Sequence, residues 1–67
     1  MKKAITLKTN KEIPAPTTKA MIVCPDGYVG VGIFLTNPYR NWWVREDNTE
    51  TPHSSVLYWY DYNELYS

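Results

Sequence analysis

The sequence predicts an all-β protein: a small antiparallel meander of four to five strands, forming a sheet or small open barrel, with room for a short terminal helix. Three observations predict it. Five Val, four Ile, seven Thr and ten aromatic residues fill 26 of 67 positions, against nine Leu, Ala and Met and no Gln, a balance that favours strands over helices. Ala4 to Lys8 alternates in polarity, and further runs of five to eight residues are rich in β-branched and aromatic residues, as strands are. Pro25-Asp26-Gly27 stands between two such runs, the strongest hairpin signal in the chain.

The elements follow in order. Ala4 to Lys8 alternates, with Ile5 and Leu7 on one side, and reads as a first strand, with a turn at Thr9-Asn10-Lys11. Pro14-Ala15-Pro16 is an extended connector, because proline fixes its own φ and biases its predecessor away from helix. Lys19 to Cys24 and Tyr28 to Leu35 flank the Pro-Asp-Gly turn. In the second of these, Val29, Val31, Ile33 and Leu35 share one face and Tyr28, Gly30, Gly32 and Phe34 the other, and both faces are expected to be covered. Gly30 and Gly32 leave a side-chain-free strip, which Trp or Tyr rings from neighbouring strands are expected to cover, a sharp bend or bulge being the alternative.

Thr36 to Asn41 reads as a loop, and Trp42 to Glu46 as a core strand that sends its two indoles to opposite faces. One Trp is therefore core and the other a cover or contact. Asp47 to Ser54, polar and containing Pro52, reads as a mobile hairpin loop. Ser55 to Asp61 is the last strand, with Leu57 and Trp59 facing away from Val56, Tyr58 and Tyr60; residues 61 to 67 are a terminal helical turn or a tail.

A chain of 67 residues is one small domain, and with a single cysteine it has no intramolecular disulfide. Cys24 and His53 are too few for a structural zinc site. Aromatic burial or self-association must carry stability. Zero formal net charge removes the cationic field that general nucleic-acid binding needs. No apolar run reaches the roughly 18 residues of a membrane span, and Met1-Lys2-Lys3 does not lead into a signal peptide. A soluble protein of the cytoplasm is expected.

The charges are polarised along the chain. Residues 1 to 19 hold five Lys against Glu12; residues 20 to 67 hold Arg40 and Arg45 against six acids. From Glu46 onward there are five acids and no Lys or Arg, interleaved with Tyr58, Trp59, Tyr60, Tyr62 and Tyr66. This end is either a solvated face or a patch that meets a basic partner.

From Ile13 to Tyr60 the order "IPAP…MIVCPDGYVGVGIF…NWW…SVLYWY" resembles a small phage and prophage family catalogued as domain of unknown function 551. The matching positions are Ile13-Pro14, Ile22-Val23, Val31-Gly32-Ile33-Phe34, Trp42 or Trp43, and Tyr58-Trp59. Tyr58 stands where that family carries a His, and its closing prolines and opening Trp are absent here. The resemblance implies a phage-encoded origin in a bacterial host, and no particular chemistry. "NWWVRE" and "LYWYDY" also look like motifs of Src-homology-3 domains, but in reversed order, so only a small-barrel analogy follows.

The chemistry inventory is short. His53, in "NTETPHSS", is expected to be solvated, and Ser54 and Ser55 beside it form no triad. Cys24 is expected to be a buried, reduced thiol, and Glu46, Asp47 and Glu50 lack calcium-loop spacing. No catalytic residue, metal or cofactor is assigned, and an enzyme is not expected. The expectation is an accessory protein that binds a host bacterial protein with a basic surface, inhibiting a defence or nucleic-acid-processing function in the manner of anti-CRISPR or anti-restriction proteins. The candidate contact residues are Tyr39, Arg40, Trp42, Tyr58, Tyr60, Asp61, Tyr62 and Glu64. Two alternatives are a single-stranded nucleic-acid-binding module, which the acids disfavour, and a structural, self-assembling phage protein with a homodimer interface.

Overall fold

A computed structural model describes residues 7–65. Five antiparallel strands, β1 (Lys19–Val23), β2 (Val29–Asn37), β3 (Arg40–Arg45), β4 (Glu50–Pro52) and β5 (Tyr58–Asp61), form one open sheet in the order β4-β3-β2-β1-β5. A single turn of 3-10 helix (His53–Ser55) links β4 to β5, and a short helix α1 (Tyr62–Leu65) ends the described chain. The all-β expectation holds: β1 to β4 are a meander, and β5 returns to pair with β1.

Local chemistry sets the turns. At the β1–β2 turn the Tyr28 backbone N–H donates to Asp26 Oδ1, Gly27 takes φ +98°, and Cys24 N–H closes on the Tyr28 carbonyl at 2.9 Å. The β2–β3 connection is tighter than the expected six-residue loop. Asn37 Oδ1 accepts the backbone N–H groups of both Tyr39 and Arg40 at 2.8 and 2.9 Å. Strand pairing therefore reaches Asn37↔Arg40, because the Asn side chain supplies the turn that Pro38 initiates.

The 47–54 loop is likewise corrected. Only its tip is a turn, closed by Arg45 N–H to Thr49 O, after which Glu50–Pro52 pairs with β3. Pro52 is tolerated there because β4 is an edge strand. The expected first strand falls mostly outside the described residues; its last residue, Lys8, makes an isolated bridge to Trp59, with reciprocal hydrogen bonds at 2.8 Å. The last strand starts at Tyr58 rather than Ser55, and Leu57 is exposed instead of facing inward with Trp59.

One face of the sheet holds the core. Ala20, Ile22, Phe34, Trp43 and Trp59 project from it and are buried together with Cys24 and Val56. Trp43 from β3 meets Trp59 from β5 with ring centroids 5.9 Å apart, although those strands are three spacings, about 14 Å, apart. The glycine strip makes this meeting sterically feasible. A Cβ on Gly32 would lie 3.3 Å from the Trp43 ring and 3.0 Å from Ile22, and Tyr28 covers Gly30. The expected cover by rings from neighbouring strands is met only by Trp43 at Gly32; Ile22 of β1 lies nearer there, and Gly30 is covered by Tyr28 from its own segment. Pro14, His53 of the 3-10 turn and Val56 complete the buried layer.

His53 contradicts the expectation of a solvated loop residue. It is 4% exposed, accepts from Trp43 Nε1 on its Nδ1 at 3.0 Å, and has Nε2 3.0 Å from the Glu12 carbonyl. With Nδ1 accepting, Nε2 carries the hydrogen that Glu12 takes. The ring also packs edge-on to Phe34. Imidazole here is a core polar crosslink between the N-terminal segment, β3 and the 3-10 turn.

Candidate interaction face

The opposite face of the sheet is open. Strand alternation places Met21 and Val23 of β1, Val29, Val31, Ile33 and Leu35 of β2, Trp42 and Val44 of β3, and Tyr58 and Tyr60 of β5 on this side. None of these ten residues is buried: Val29 is 62% exposed, Tyr58 is 45% exposed, and most of the rest are half-buried. The expectation that both faces of β2 are covered is therefore corrected. Among the described residues, the 3-10 turn and the segment around Glu12 lie on the Trp43 and Phe34 side. Soluble monomers seldom present a contiguous apolar surface of this kind unless it is used for contact.

The candidate residues divide over this frame. Trp42 is the outward indole and Trp43 the core one, which resolves the alternative left open by the sequence. Arg40 lies on the same face and stacks its guanidinium 4.1 Å from the Trp42 ring centroid, while its Nη2 donates to Glu50 Oε1 at 2.7 Å. The Trp42 Nε1–H is covered and has no hydrogen-bond partner, for which the fold offers no compensation. Tyr58 and Tyr60 stand three strand positions away on β5. Between these clusters lie the aliphatic residues of β1 and β2, which the aromatic-centred reading did not single out. Their signal was in the sequence, as a second apolar alternation, but it carried no sign of which face would be covered.

Tyr39 projects from the β2–β3 turn and is 93% exposed. Asp61 lies on the opposite parity and accepts the Asn63 backbone N–H at 2.9 Å, initiating α1. Tyr62 receives the Lys19 ammonium 4.6 Å from its ring, and Glu64 pairs with Lys8 at 3.2 Å. These last three are thus engaged in holding the chain end against β1 and β5. The acids from Glu46 onward do not make one patch: Glu46, Asp47 and Glu50 lie at the β3–β4 side and Asp61 and Glu64 at the β5 side.

Ionisable groups elsewhere have structural explanations. Arg45, on the core side, bonds Thr51 Oγ1 at 2.8 Å and Asp26 Oδ2 at 3.0 Å and stacks 4.4 Å from the Tyr28 ring centroid. The Tyr28 backbone N–H and the Arg45 guanidinium hold the Asp26 carboxyl below the usual carboxylate range. Burial pushes the Cys24 thiol up, opposed by Arg45, as expected of a structural thiol. Among the described residues no cluster of three or more His, Cys, Asp or Glu is placed to hold a metal. An open groove of about 570 Å³ runs between Asn10, Arg40, Asn41, Pro52, His53 and Ser54. His53 has both ring nitrogens committed there, leaving the groove without a free base. No helix among the described residues is long and apolar enough to cross a membrane.

Comparison of this chain with protein-family models, with curated proteins and with solved structures finds no match.

Proposed function

We propose that this chain acts by protein–protein contact through the open face of its sheet, rather than by catalysis. The observation that carries this reading is the asymmetry of the sheet: two apolar faces, of which one is buried and the other is half-buried to exposed among the described residues. Trp42, Tyr58 and Tyr60 are the aromatic anchors typical of interface hot spots, and the aliphatic centre supplies the dry area around them. The commitment of His53 and the burial of Cys24 both favour binding over chemistry.

Inhibition of a host defence or nucleic-acid-processing protein in the bacterial cytoplasm, in the anti-CRISPR or anti-restriction manner, is the specific form that the phage-type resemblance suggests. The open face supports its contact mode. The dispersal of the acids favours a partner that offers an apolar surface over one that is chiefly basic. Single-stranded nucleic acid is less well served, since the centre of the face is aliphatic and offers few rings for bases to stack on.

The test is affinity capture from bacterial lysate with wild type and with Trp42→Ala combined with Tyr60→Ala, each with and without nuclease. A stoichiometric protein, or the chain's own second copy, that survives nuclease and is lost with the folded double variant supports the reading. Retention of nucleic acid alone, or retention indifferent to the substitutions, overturns it.

A further inference from the structure

The start of β3 is an uncapped edge. Arg45 N–H donates to Thr49 O on the β4 side, so by the two-residue period of a strand Trp43 and Asn41 turn their N–H groups the same way. The β3–β4 ladder stops at Trp42↔Pro52, where the chain leaves for the 3-10 turn. No residue of β4 pairs with the Asn41 N–H, which faces the groove of about 570 Å³ that Asn41 forms with Pro52, His53 and Ser54. On the wall of that groove Asn10 spends its Nδ2 on the Ser54 carbonyl at 2.8 Å, which leaves its Oδ1 to accept.

A second recess, of about 200 Å³, adjoins this groove: the two share Arg40, Asn41 and Pro52, and Trp42 lines the smaller one. Among the described residues, Trp42 Nε1 is the one buried side-chain nitrogen or oxygen without a hydrogen-bond partner. Covered donors of this kind are rare, and an acceptor from outside the chain would offset the cost of this one. Charge narrows the class of that acceptor. Arg40 is the only Lys or Arg lining either recess, and Glu50 already holds it at 2.7 Å. The site is therefore near neutral, which suits a carbonyl better than a phosphate or a carboxylate.

Resting on the reading of this chain as a protein-binding module, we propose that the groove takes an extended polypeptide segment of the partner, held by its main chain. One carbonyl of the segment accepts from Asn41 N–H and another from Trp42 Nε1–H, and an N–H of the segment donates to Asn10 Oδ1, in the manner of strand addition to a sheet edge. Trp42 belongs to both surfaces, so the segment continues the open face around the margin of the sheet. Arg40 lies over the indole, and its turning aside is the rearrangement that lets an acceptor reach Nε1. Its ion pair with Glu50 is exposed on both sides, and exposed pairs resist such a movement little.

The test is selection from a displayed library of random dodecapeptides, followed by magnetic-resonance titration of the isotope-labelled chain with the strongest peptide. That peptide is expected to move the Asn41 amide and the Trp42 indole N–H resonances furthest. Asn41→Pro deletes the outward N–H at an edge where proline is tolerated, and Trp42→Phe deletes the indole N–H while keeping a ring; each is expected to weaken the peptide about tenfold. Should Asn41→Pro fail to fold, replacing the peptide's amides one at a time by esters, which are weaker acceptors, reads the same contact on the unchanged protein. Binding indifferent to both substitutions and to every ester overturns the groove. So does a library that yields no peptide while a lysate protein is still captured and is lost with Tyr60→Ala, and in that case the open face stands as the contact surface. Saturable shifts of the same resonances by inorganic phosphate, with no peptide bound, make the recess an anion site and overturn the proposal. A chain that selects no peptide and captures no protein overturns both readings.

Discussion

Trp43 Nε1 donates to His53 Nδ1 at 3.0 Å, with both rings nearly or fully excluded from solvent and stacked at 28°. Through Nε2, His53 carries the link on to the Glu12 carbonyl. A polar contact of this kind is costly to break from one side, because the orphaned partners stay buried.

Removing the imidazole should therefore destabilise the fold strongly. His53→Ala is expected to cost about 2–4 kcal/mol, from two unmet hydrogen-bond groups and a cavity beside Phe34. Trp43→Phe, which keeps most of the ring volume, should cost less. A double-mutant cycle by urea unfolding measures the coupling; additive single effects would show that the hydrogen bond contributes nothing.

Gly32 should resist enlargement. Its added Cβ would meet Ile22 at 3.0 Å and the Trp43 ring at 3.3 Å, both side chains fully buried. Gly32→Ala is expected to cost about 1–3 kcal/mol by overpacking and to alter near-ultraviolet circular dichroism. An unchanged melting temperature would contradict the observed meeting of the indoles over β2.

Acid should weaken the fold in a definite window. Asp26 is held down by the Tyr28 N–H and Arg45, and Asp47 by the hydroxyl and N–H of Thr49. Both folded-state values lie below the unfolded value near 3.9, so their contribution is complete above that pH and is lost as pH falls through the lower, folded values. Asp26→Asn should flatten the acid limb of a stability-versus-pH curve. An identical limb would remove the Asp26–Arg45 contact from the account.

Cys24 should be chemically silent. It is 3% exposed and its thiol is raised by burial, so a disulfide reagent at mildly alkaline pH should react with the native chain about 100-fold more slowly than with the unfolded one. The raised value also means that stability present below the unfolded thiol's pKa declines as pH rises through the folded one. Fast native labelling would show the β1–β2 hairpin to be open in solution.

The legible parts of this fold were those whose cause is local. Pro25-Asp26-Gly27 carries its own turn chemistry, and alternation alone separates Trp42 from Trp43. β4 was missed because three residues ending in Pro52 have no strand signature of their own; pairing with β3 creates the element. His53 was misread because its sequence neighbours are polar, while the groups that bury it lie 10 and 41 residues away. Equally, Val29 to Leu35 announces two apolar faces, and only tertiary structure shows that the chain covers the glycine-bearing one. The candidate residues Arg40, Trp42, Tyr58 and Tyr60 share the open face, yet its aliphatic centre was visible only as presumed core.

Two neighbouring residues of β2 test the central claim most directly. Ile33 lies on the open face and Phe34 in the core, and threonine retains strand propensity at either position. Thermal unfolding should be measured for Ile33→Thr and Phe34→Thr at a concentration low enough to keep the chain monomeric. The account predicts a loss of about 1 kcal/mol or less for the first and about 3 kcal/mol or more for the second. Equal, large losses would mean that both faces are core, and would contradict the open face on which the function is built.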